Sequence, residues 1–124
     1  MTDVPGVSAV FPGGVVSYAN EIKEKLLCVN HKTLADFGAV SEQTAREMAL
    51  GAINALGADY SVAVTGIAGP DGGSKEKPVG LVYIACADKN GRVNVKKNLF
   101  YGSREDVRNQ TVGTALTMLS EFIV

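Results

Sequence analysis

Histidine occurs once in these 124 residues, cysteine twice and tryptophan not at all. With His31 as the sole imidazole, a Ser-His-Asp or Cys-His mechanism would hang on one residue. That residue lies in a polar stretch, Asn30-His31-Lys32, and reads as a solvated side chain. A zinc site built from several histidine or cysteine ligands is not expected on this inventory. Cys28 and Cys86 are too few for a disulfide framework, and Cys86, inside an apolar run, reads as a small core residue. Charge of one sign is also lacking. Twelve Lys and Arg against 13 Asp and Glu leave a net charge of -1, which argues against the basic face that nucleic acid requires. No apolar run approaches the roughly 18–20 residues of a membrane span. The opening Met1-Thr2-Asp3-Val4-Pro5 has neither the basic nor the apolar stretch of a secretion signal. A cytoplasmic protein with no nucleic-acid or membrane partner is the expectation.

What is present fits one globular α/β domain over residues 1–124, with 46% hydrophobic and 20% charged residues and no internal repeat. Turn formers crowd the first twenty residues, and Val15-Val16-Ser17-Tyr18 suits a short strand. Asn20 is placed to cap a helix running to Leu27. Thr33-Leu34-Ala35-Asp36 has capping-box spacing for a second, which Gly38 would stop. Ser41 predicts the start of a third, with Ala45, Met48, Ala49, Ala52, Ile53 and Leu56 on one face and Gly57 as its stop. Tyr60–Thr65 and Gly80–Ala87 read as buried strands, and Asp88-Lys89-Asn90-Gly91 as the hairpin turn into an antiparallel partner from Val93 to Phe100. Ser103-Arg104-Glu105-Asp106 opens a last helix with Val112, Ala115, Leu116, Leu119 and Ile123 on a shared face. Helices interleaved with apolar strands predict a three-layer α/β/α sandwich around a mixed sheet.

Three segments could carry chemistry. Thr65 to Pro78 holds four glycines and two prolines directly after a strand. It fits neither a Walker A loop nor a Rossmann fingerprint, because no Gly-Lys-Ser/Thr follows and Gly66, Gly69 and Gly72 are spaced by threes. Glycines there would let backbone N–H groups approach an anion or carbonyl, with Thr65 adding a hydroxyl. A long turn needing positive φ is the competing explanation. The second segment runs from Ser8 through Tyr18 to Lys23. Serine needs a base to become a nucleophile, and a lysine serves once burial lowers its pKa. A turn serine, a core tyrosine and a solvated lysine would explain the same residues. Arg104 and Arg108, four apart on the last helix, could hold a phosphate or carboxylate, or simply face solvent beside Glu105 and Asp106.

Taken together, Val4-Pro5-Gly6-Val7-Ser8, Gly14 through Lys23, Gly38-Ala39-Val40-Ser41, Val64 through Gly73 and Lys77-Pro78-Val79-Gly80 resemble the C-terminal domain of the CinA family, which also occurs alone as nicotinamide-nucleotide amidohydrolase. The resemblance covers essentially the whole chain. It implies a CinA C-terminal-like three-layer sandwich and hydrolysis of the carboxamide of nicotinamide mononucleotide to nicotinic acid mononucleotide and ammonia. By the same resemblance Ser8 is the nucleophile, Lys23 the base and Tyr18 an assisting group. Thr65, Gly66, Ala68 and Gly69 would hold the nucleotide, and the family's arginine near the last helix falls on Arg104, with Arg108 as the alternative. A small-molecule nucleotide is then the partner, with no metal and no organic cofactor. The family pattern starts earlier, with a strand and a Glu-Ser-Cys-Thr-Gly-Gly turn leading into a helix, and this chain is expected to start where that helix ends. A shortened domain has an open sheet edge, which suggests a homo-oligomer, most simply a dimer. A non-catalytic module that binds a nucleotide or drives oligomerisation is the alternative.

Overall fold

The computed structural model describes residues 1–124. A single 3₁₀ turn, Val7–Ala9, forms near the start, entered through Gly6 at φ +83°. From Phe11 to Ala19 the chain is extended, and every second residue along it is tucked in while its neighbours are exposed. The strand expected over Val15–Tyr18 nevertheless does not form, because no strand lies beside it to complete a ladder.

Helix α1, Asn20–Leu27, starts one residue early: Asn20 is its first helical residue and Ala19 caps it with no side-chain bond. It stops at Cys28, the one non-glycine residue with positive φ. Helix α2, His31–Phe37, begins two residues before the expected cap. Thr33 has a different task, since its hydroxyl donates to Glu47 Oε2 at 2.6 Å while the Asn30 N–H takes Oε1 at 2.8 Å. Helix α3, Glu42–Leu56, matches expectation at both ends. Ser41 Oγ accepts the Thr44 N–H at 3.1 Å, and Gly57 at φ +59° stops the helix. Gly51 lets the backbone of α1 close on α3: a β-carbon there would sit 1.8 Å from the Leu27 carbonyl oxygen.

Strands β1 (Tyr60–Gly66), β2 (Leu81–Asp88) and β3 (Val93–Leu99) form one sheet in the order β1-β2-β3. Both pairings are antiparallel, with Val62 opposite Cys86 and Ala85 opposite Val95. The expectation of a mixed sheet is therefore corrected. A parallel pair needs a helical crossover between its strands. Here β1 returns to β2 through a loop without a helix, and β2 turns tightly into β3 at Asp88–Gly91. Helix α3 covers one face, its Ala45, Ala49 and Ile53 packing on Ala85 and Ala87. Helix α4, Arg104–Ile123, covers the other, with Val107, Ala115, Met118 and Phe122 against Val82, Ile84 and Cys86. Three α/β/α layers result. Leu27, Val29, Leu34 and Met48 join α1 and α2 to the α3 side in a third cluster.

Two expectations of burial fail. Strand β2 is buried almost throughout, whereas β1 is half exposed because its far edge has no neighbour. On α4 the residues facing the sheet are Val107, Ala115, Met118 and Phe122; Val112, Leu116 and Ile123 lie exposed on the flank, and Leu119 is only partly covered. No helix is long and apolar enough to cross a membrane.

Candidate active site

The loop after β1 is shaped from both of its ends. The Ile67 N–H donates to Leu81 O at 2.9 Å and the Gly80 N–H returns to Ile67 O at 2.7 Å, so the loop leaves and re-enters the sheet at one point. Farther out, the Ser74 N–H reaches Lys77 O at 2.7 Å and Ser74 Oγ accepts the Lys77 N–H at 3.0 Å. Gly66 presses on β2, where a β-carbon would meet Val82 Cγ2 at 2.6 Å; Gly69, at φ +82°, presses on Val79. Ala68 packs against the core beneath α4. The N–H groups of Ala68, Gly69, Asp71, Gly72 and Gly73 have no backbone acceptor within the chain. Thr65 is buried and its hydroxyl donates to Ala39 O at 2.8 Å, which ties the end of β1 to the entry of α3.

Helix α4 begins beside this loop. Its start is fixed by a full capping box: Ser103 Oγ accepts the Asp106 N–H and Asp106 Oδ2 accepts the Ser103 N–H. Those bonds hold the Asp106 carboxyl below the usual carboxylate range. The capped turn delivers Arg104, whose Nη1 donates to Gly69 O at 2.9 Å. Arg108, one turn on, is exposed and enters no ion pair. Lys77 is a residue that sequence reasoning passed over as an individual. Its Nζ donates to Phe37 O, at the end of α2. The signal was its place in Lys77-Pro78-Val79-Gly80, but nothing local says where a lysine side chain will go.

The Ser8–Lys23 segment is built differently. Lys23, in the first turn of α1, is the one charged residue among the buried ones, with 6% of its surface exposed. Its amine finds carbonyls only, donating to Ser17 O and, at 3.5 Å, to Tyr18 O. Burial pushes its pKa below the ordinary lysine value. Tyr18 points the other way and is 87% exposed. Ser8 lies exposed in the 3₁₀ turn, with no hydrogen bond to Lys23 or Tyr18. The extended segment from Phe11 to Ala19 thus connects a free hydroxyl to a desolvated amine without bonding the two. The chain thus presents two features, a buried amine and a loop of open donors with cations at its rim, and no hydrogen bond links Ser8, Tyr18 or Lys23 to that loop.

His31 is exposed, with Nδ1 3.0 Å from Glu24 Oε1, and Cys86 is a buried core thiol, both as the sequence indicated.

Comparison with known proteins covers nearly all of this chain. The family model described as the CinA C-terminal domain matches residues 1–123. A nicotinamide-nucleotide amidohydrolase PncC of Enterobacter agglomerans is 54% identical over 124 residues, which is 99% of this chain and 76% of that protein. A CinA-like protein of Endomicrobium trichonymphae is 52% identical over 124 residues, spanning 100% of this chain but only 29% of its own length. Among solved structures, the competence/damage inducible protein CihA from Agrobacterium tumefaciens superposes with a TM-score of 0.95 at 49% identity, covering 99% of this chain and 75% of that one.

Proposed function

Because the chain belongs to the CinA C-terminal domain family, we propose that it hydrolyses the carboxamide of nicotinamide mononucleotide to nicotinic acid mononucleotide and ammonia. The observation that carries this reading is the Lys23 amine, buried with no carboxylate near it and bonded only to carbonyls. An amine in that setting gives up its proton more readily than a solvated one, which is what a base for serine requires. The 54% identity to a protein described as a nicotinamide-nucleotide amidohydrolase supports the choice of substrate.

In this mechanism neutral Lys23 takes the Ser8 proton as Ser8 Oγ bonds to the carboxamide carbon. The carbonyl oxygen becomes an oxyanion, stabilised by backbone N–H groups. Such donors contribute about 2.7–4 kcal/mol each where measured. The tetrahedral species collapses, the C–N bond breaks and the nitrogen leaves as ammonia, protonated by the Lys23 ammonium; the assisting part of Tyr18 requires its ring to turn in from solvent when substrate binds. Water then attacks the Ser8 ester, passes a proton to Lys23, and nicotinic acid mononucleotide departs as Ser8 regains its hydrogen. Substrate binding brings the Ser8 hydroxyl to the amine, since catalytic hydrogen bonds often close only in the substrate complex. The open N–H groups between Ala68 and Gly73 and the positive charge of Arg104 and Arg108 receive the phosphate. A cytoplasmic setting belongs to the same proposal.

Ammonia release from nicotinamide mononucleotide tests the assignment. Ser8→Ala and Lys23→Met are each expected to lower kcat by at least about 100-fold, the usual contribution of a positioned base. Parent-like rates in either variant would remove that residue from the mechanism. The exposed, unbonded Ser8 favours a second reading, a nucleotide-binding module without turnover. Calorimetric binding of the mononucleotide with no ammonia formed would select it.

A further inference from the structure

We infer that Lys77 and Arg104 are positioning residues that clasp the glycine loop from opposite sides and jointly fix the placement of its open N–H groups. The functional consequence rests on the nucleotide-binding role proposed above; the clasp itself rests on the hydrogen bonds. Arg104 reaches from the start of α4 to Gly69 O, across 35 residues of sequence. Lys77 reaches from the far limb of the loop to Phe37 O, across 40.

Each contact lands where the structure has made room or rigidity for it. Gly69 is buried at φ +82° against Val79, so its carbonyl is a fixed target for the guanidinium. On the other side, three successive carbonyls receive side-chain donors: Phe37 from Lys77, Gly38 from Ser41 and Thr44, and Ala39 from Thr65. Gly38, at φ +81°, adopts a conformation that favours glycine, and a β-carbon there would push on the flexible end of Lys77, 2.9 Å away at Nζ. The Lys77 backbone meanwhile closes the loop's tip on Ser74. One residue therefore shapes the tip and moors it to α2.

Both cations bond neutral carbonyls and neither pairs with a carboxylate, so their charge is not cancelled at the rim. Removing either cation releases one limb of the loop, and the amides from Ala68 to Gly73 lose the fixed placement that the two contacts give them. The two clasps act on one loop, so their effects are coupled rather than independent.

Backbone hydrogen exchange on the 124-residue chain tests this without reference to turnover. Lys77→Met and Arg104→Met are each expected to speed exchange at Ile67, Ser74 and Gly80 while leaving Ile84 and Ala85 of β2 unchanged. The double variant is expected to fall short of the product of the two single effects. With nicotinamide mononucleotide, KM is expected to rise roughly tenfold and kcat to change much less, and Arg104→Lys to recover part of the loss. Unchanged loop exchange, equal acceleration in β2, or multiplicative effects in the double variant would overturn the inference. A parent chain that releases no ammonia would sink the amidohydrolase reading alone, and the exchange data would still decide the clasp.

Discussion

Protonating Lys23 places a charge inside the protein with carbonyl dipoles as its only company, and that has a cost visible in stability as well as in rate. Its folded pKa lies below its unfolded one. Between those two values the unfolded chain binds more protons, so stability rises with pH across that window; below the folded value the penalty is present in full. Lys23→Met is therefore expected to melt higher than the parent at neutral pH, the gap narrowing as pH climbs toward the ordinary lysine range. Thermal melts across that range check it, and a gap that widens with pH contradicts the account. The rate of the parent should rise with pH to a plateau whose apparent pKa lies under that of free lysine. At this scale the sequence indicated which residue types could react but not their surroundings. Lys23 and Tyr18 are five apart, yet one is buried and the other open. The phosphate role expected of Arg104 stands as a proposal, and no local signal says that its Nη1 also donates to the Gly69 carbonyl.

Elements were legible wherever their signals were local. Ser41 and Gly57 bound α3, Ser103 and Asp106 open α4, and Asp88–Gly91 turns β2 into β3, because caps and tight turns are decided within four residues. Signals that depend on a neighbour misled. Val15–Tyr18 has the alternation of a strand and no partner. On α4, two apolar stripes lie side by side along one helix, and only packing decides that Val107, Met118 and Phe122 turn inward rather than Val112, Leu116 and Ile123. Gly51 gave no warning either, since a mid-helix glycine looks like a mere weakness of about 1 kcal/mol. Its purpose is the Leu27 carbonyl 1.8 Å from where a β-carbon would stand. Gly51→Ala should accordingly destabilise the protein by about 1–3 kcal/mol or more despite the better helix propensity of alanine. Urea unfolding measures it; an unchanged or raised midpoint would mean that α1 and α3 can part without penalty.

At the scale of the whole molecule the sheet ends in an edge, β1, whose seven residues carry no charge. Charged or bulged edges are the usual protection against pairing with another chain, and this one has neither. The proposed dimer fits an edge of that kind, with the exposed Val112, Leu116 and Ile123 of α4 adding apolar surface. Val64→Lys, at a half-exposed position on β1, is expected to keep the fold and weaken self-association in sedimentation equilibrium. A parent that sediments as a monomer at high concentration would withdraw the dimer. The segment before α1 holds a different kind of vulnerability. Between Phe11 and Ala19 no backbone hydrogen bond restrains the peptide, which is held by alternate side chains and by the Lys23 amine on Ser17 O and Tyr18 O, so this is where a protease is expected to cut. One nick there would sever Ser8 from Lys23 while the sandwich stayed standing, producing a folded remnant with half of its chemistry cut away. Brief trypsin-free digestion with a broad protease, followed by mass measurement of the resistant piece, should find its new start inside that stretch.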